Sequence, residues 1–182
     1  MKKQIPEEKA ASIFVKSVFY GIEKDWHDIS SQLKHILGDS LILDDLSQFY
    51  LSIAVIAIQM QTLPGLLQKE QASRMRMNIL AEVSSLNRGM GSGTDLVEII
   101  LNHEKAWQKA IINNEQPQIG IGEILFDQFN CNKTLSFEGT SYRNPFVVDL
   151  LGMAPMAGCW WKEFLDRHKL INDSSMKGDT HT

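Results

Sequence analysis

Apolar residues recur three or four positions apart at Ala11, Val15, Val18, Ile22, Trp26, Ile29, Leu33 and Ile36, the spacing of one face of an α-helix. The phase runs unbroken through Gly21, so a single helix over residues 7 to 37 is expected, roughly 45 Å long. Phe14 and Phe19 widen its apolar face, and Gly38 supplies a C-terminal stop. Asp44 or Asp45 then has an oxygen for the free N–H groups of a second helix, from about Leu46 to Leu63, with Pro64 as its limit. Leu46, Phe49, Leu51, Ile53, Val55, Ile56 and Ile58 cover nearly every azimuth of that helix. It is therefore expected at the centre of the core.

A third, one-sided helix is expected from Pro64 or Gly65 to Arg88, with Ala72, Met75, Ile79, Val83 and Leu86 inward. The run Gly89-Met90-Gly91-Ser92-Gly93 breaks the pattern and reads as a hinge or loop. Thr94 or Asp95 caps a fourth helix ending near Asn113, with Glu98 three residues after Asp95 as in a capping box. A shorter helix from about Gly120 to Phe129 buries Ile124, Leu125 and Phe129. Residues 131 to 144 lose the helical period and support at most a small β-ribbon around Gly139.

From Pro145, a favoured first-turn residue, apolar positions recur at Phe146, Leu150, Met153, Ala157, Trp160 and Phe164. Pro155, between Gly152 and Gly158, is expected to kink or split this last helix. The stripe claims Trp160 for the core and turns Trp161 onto a second stripe with Val147, Leu151, Ala154 and Leu165. An apolar surface that wide is either sunk in the bundle centre or shared with a partner, and the specific expectation is a partner contact at Trp161. The pattern as a whole predicts an all-α, single-domain bundle of about five or six helices over residues 1–171, followed by a polar disordered tail over 172–182.

Composition narrows the function classes. The 182 residues are 43% hydrophobic and 22% charged, enough for a real core without a disulfide or structural metal. The net charge of -4 opposes a general attraction to nucleic acid or a membrane surface. Lys69, Arg74, Arg76 and Arg88 are spread around their helix and read as its solvated side. Cys131 and Cys159 lack metal-type spacing and suit free thiols in a reducing cytoplasm. The apolar run from Phe49 to Met60 is shorter than the about 20 residues that span a bilayer.

Gly38-Asp39-Ser40-Leu41 resembles the motif of the GDSL esterases and lipases, a resemblance of four residues that implies a serine nucleophile at Ser40. Those enzymes resemble one another in an α/β fold, with a strand before the motif and a late Asp-x-x-His. Here a helix precedes it, and the late candidate is Asp166-Arg167-His168, one residue too tight. The same serine resembles the phosphopantetheine site of carrier proteins, without their long preceding loop. No Glu-x-x-His or His-x-x-x-His pair occurs, and His27 between Asp25 and Asp28 reads as a solvated trio. His103 shares the buried stripe of the fourth helix with Leu96, Ile100 and Trp107, where an imidazole needs a hydrogen-bond partner or loses its charge.

These features point to a non-enzymatic interaction module, an adaptor, regulatory or inhibitor-type subunit that self-associates or takes a protein partner, with no cofactor. Its expected contacts are Trp161 together with Phe137, Tyr142 and Arg143 in the irregular segment. The alternative is a helical small-ligand binder or enzyme with a pocket beside His103, Met153, Met156 and Cys159.

Overall fold

A computed structural model describes residues 2–37, 41, 43–90, 95–131, 134–137, 140–156 and 159–172. It is an all-α fold. Helices α1 (Glu7–Leu37), α2 (Asp45–Leu66), α3 (Lys69–Met90), α4 (Leu96–Ile112) and α5 (Pro117–Gln128) follow a short strand, β1 (Lys3–Pro6). Strands β2 (Thr134–Phe137) and β3 (Thr140–Arg143) form an antiparallel ribbon. Then come α6 (Pro145–Met153), a 3-10 turn (Ala154–Met156), α7 (Trp160–Arg167) and β4 (His168–Ile171). With α6 and α7 counted as halves of the one split helix, the described residues hold six helices.

Local chemistry explains most of the boundaries. Asp44 caps α2: its Oδ1 accepts from Ser47 N and Ser47 Oγ, both at 2.9 Å, while Asp44 N donates back to Ser47 Oγ. The donated hydrogen bonds, led by that from the Ser47 backbone, hold the Asp44 carboxyl below its ordinary range. Asp95 Oδ1 accepts from Val97 N at the start of α4. α4 and α5 stop in the same way. Asn114 and Asn130 take the left-handed conformation, at φ 57° and 49°, and the next residue donates five positions back, Glu115 to Ala110 and Cys131 to Phe126. This is the six-to-one closure that satisfies the last free carbonyls of a helix.

Two boundaries depart from expectation. Pro64 lies inside α2 rather than ending it, because a proline in the final turn costs one ladder bond and only two residues follow. The helix is thus 22 residues long and, by length and composition, apolar enough to cross a membrane. Its side chains from Leu51 to Leu63 are nonetheless mostly buried within the protein, as in a core helix. The parallel pairing of β1 with β4, Ile5 opposite Leu170, went unseen in the pattern. Four-residue strands carry too little period to announce themselves.

The described chain divides into two compact units, with α1, α2 and α4 each contributing to both. One unit comprises Met1–Ser17, Gln59–Val97 and Gly158–Thr182. There Glu7, in the first turn of α1, is buried and receives Arg74 Nε at 2.8 Å and Nη2 at 2.9 Å, with Gln71 Nε2 at 3.2 Å. The Arg74 hydrogen bond holds the Glu7 carboxyl below its ordinary range against the opposing effect of burial. The same unit holds an aromatic cluster together with the buried Leu63, Met75, Ile79 and Val83. Phe14 lies 5.0 Å from Trp160 and 4.8 Å from Trp161, and Trp160, Phe164 and His168 stack in turn at 4.5 and 4.3 Å.

The other unit comprises Val18–Ile58 and Glu98–Ala157. Its core gathers Leu33, Leu51, Ala54, Ile58, Ile121, Leu125, Phe126, Phe129, Val147, Val148 and Leu151. Ile124, expected inside, is only half-buried, because Gly122 rather than Ile124 faces α6. α5 and α6 pack back to back through glycine: a Cβ on Gly122 would strike Val148 O, and one on Gly152 would strike Gln118 O. Gly122→Ala or Gly152→Ala should therefore lower stability by about 1–3 kcal/mol by forcing two backbones apart. Gly21→Ala, where nothing lies within 4 Å, should instead raise it by up to about 1 kcal/mol. Thermal melts of the three variants check the contrast.

Candidate functional site

The β2–β3 ribbon, the 3-10 turn and α6 put the larger part of the expected contact residues into one unit. The ribbon is latched to α5 by Arg143. Its guanidinium pairs with Glu123 through Nη1 and with Asp127 through Nη2, the latter at 2.6 Å, and lies 5.7 Å from the centre of the Phe126 ring. Arg143 is thus occupied within its own unit. Tyr142, next to it, is exposed. Phe137 belongs to β2, and its side chain lies outside the described residues.

α6 has two contrasting faces. Asn144 Oδ1 accepts from Phe146 N at 3.1 Å and Pro145 takes the first turn, which fixes where the helix begins and so the direction of every side chain on it. Val147, Val148, Leu151 and Gly152 turn inward onto α5. Asp149 is tied down by Gln118 Nε2 at 3.3 Å. On the remaining side Phe146, Leu150 and Met153 fall one and two turns apart; Phe146 is 67% exposed, Met153 50%, and Leu150 half-buried. Met156, in the 3-10 turn, is exposed as well. A helix with apolar residues on both sides has one face more than its own unit covers.

The tryptophan doublet sits the other way round from expectation. Trp161 is 0% exposed, the largest fully buried side chain, and Trp160 is half-buried. Trp161 therefore presents no surface to a partner. α7 begins at Trp160 as a helix of its own, so the spacing begun at Phe146 on α6 does not fix which member of the doublet is buried; Phe14 packs against both rings. Among the described residues the Trp161 indole N–H has no acceptor.

His103 is also 0% exposed, and neither ring nitrogen has a partner among the described residues. Burial alone pulls its imidazole down to about 4. Met153 and Met156, expected beside it in a pocket, are in solvent instead, because α6 gives its inward positions to Val147, Val148 and Leu151. Cys159, half-buried, belongs to the other unit. Gly38, Asp39 and Ser40 lie outside the described residues, as do the glycine run from 91 to 93 and the tail from 173. Asp166 is exposed and His168 Nδ1 donates to Phe164 O at 3.1 Å, so that nitrogen is committed to its own helix. Among the described residues no three His, Cys, Asp or Glu side chains gather into a cation-binding group.

No family model, no curated protein and no solved structure matches this chain.

Proposed function

We propose that this chain is a non-catalytic interaction module that pairs with a second copy of itself through the outer face of α6. The observation that carries this is the pair of exposed apolar residues Phe146 and Met153, two turns apart on a helix whose Val147, Val148, Leu151 and, in part, Leu150 are packed on the core. Two free cysteines suit the reducing cytoplasm in which such a module would work. Self-pairing is favoured over a differently charged partner because the face, from Pro145 through Met156, offers Phe, Leu and Met and holds its one charged residue, Asp149, to Gln118. In an antiparallel, two-fold pairing Phe146 meets Met153 of the partner subunit, a sulfur–aromatic contact made twice by symmetry.

Phe146→Asp and Met153→Asp should each weaken self-association by about 2 kcal/mol or more, as for an anchor in the middle of an interface. Light scattering on size exclusion across a concentration series reads this, with circular dichroism to verify that helix content is kept. A wild-type chain that stays monomeric at every concentration, or variants that associate as well as wild type, would sink the proposal.

A further inference from the structure

The unit that holds both chain termini contains a cavity of about 1,080 Å³ at the start of the β1–β4 pair. Its titratable lining residues are Lys2, Lys3, His168 and Lys169, all basic, in a protein whose net charge is -4. The strand register sets Lys3 opposite His168 and Gln4 opposite Lys169, so Lys3 and His168 share one face of the pair and Lys169 lies on the other, and basic residues flank both faces of the short pair. Lys2 Nζ donates to Leu165 O at 2.5 Å, which fixes its ammonium at the wall with two hydrogens left to give. Lys3 and Lys169 are exposed, and among the described residues neither has an ion-pair partner. The nearby Glu7 carboxylate does not offset them, since Arg74 and Gln71 already take up both its oxygens.

The rest of the wall combines the leucines Leu66, Leu67, Leu165 and Leu170 with the amides of Gln4, Gln68 and Gln71. Basic groups beside an apolar wall select a ligand that is charged at one end and greasy at the other. The volume is at the upper end for a small-molecule site, with room for a chain as well as a head group. We propose that this cavity binds a single-chain amphiphilic anion, its carboxylate or phosphate head drawn by the basic lining residues and its alkyl chain lying against the leucines. The assignment is independent of the α6 face, which belongs to the other unit.

Titration calorimetry on the full chain tests it, with each amphiphile kept below its micelle concentration. Dodecanoate and dodecyl phosphate should bind saturably. If only one does, the head group is thereby identified and the proposal stands. The double variant Lys3→Glu, Lys169→Glu should weaken binding by about tenfold or more, and since both side chains are exposed its thermal midpoint should stay that of wild type. The proposal is overturned if dodecyltrimethylammonium binds as well as the anions, if inorganic phosphate binds as tightly as dodecyl phosphate, or if the variant binds like wild type. Attachment to phosphatidylserine vesicles without binding of the monomeric amphiphiles would equally overturn it, by making the lysines a membrane contact.

Discussion

Trp161→Ala is expected to lower the unfolding free energy by about 3–5 kcal/mol, the cost of emptying a fully buried aromatic site. The side chain is 0% exposed and its ring lies 4.8 Å from Phe14 and 4.7 Å from Trp160, so its loss leaves a hole in the aromatic cluster. Trp160→Ala should cost about half as much, because that ring is already partly in solvent and part of its stacking partner Phe164 is too. Trp161→Phe should fall well short of the alanine penalty: it keeps a ring in place and removes an indole N–H that has no acceptor among the described residues, a group costly to bury by about 1–3 kcal/mol. Urea titrations of the three variants rank them. Equal losses at Trp160 and Trp161 would mean that the burial contrast between the neighbours carries no energetic weight.

Acid should destabilise the fold through His103. The imidazole is lowered to about 4 in the folded chain from 6.5, so between those values the unfolded chain binds the extra proton and the folded chain does not. Stability is then complete above about pH 6.5, falls as pH drops through the window, and levels off for this group near pH 4, a loss of roughly 3 kcal/mol. Glu7 and Asp44 act in the same sense, since both carboxyls are depressed by hydrogen bonds made only in the fold. Their loss, however, begins only as pH falls into the ordinary carboxylate range and continues below it, and so sits at more acid pH than that of His103. His103→Leu keeps an apolar site filled, removes two nitrogens without partners among the described residues, and should flatten the curve between pH 6.5 and 4.5. Chemical denaturation of both proteins across that range decides the matter. Parallel curves would show that His103 is not the group that acid titrates.

What the sequence determined by itself was the set of helices and, in the first four of them, most of the inward positions. The single helix from Glu7 to Leu37, the central apolar helix, a cap at Asp44 or Asp45 and the split near Pro155 follow from period, caps and breakers, which act over a few residues; the structure chose Asp44 and formed the ribbon that the sequence merely allowed. His103 was placed inside on the same grounds. What only the tertiary structure decided is everything that depends on phase across a break or on pairing across the whole chain. The stripe begun at Phe146 could not be carried past Pro155, because α6 gives way to a 3-10 turn and α7 is a separate helix whose phase the spacing does not encode; Trp161 went in, and the apolar surplus surfaced on α6 instead. The basic cavity depends on β1 meeting β4. Lys3 and His168 become neighbours only when opposite ends of the chain pair, and four-residue strands hold too few side chains for their pattern to foretell it.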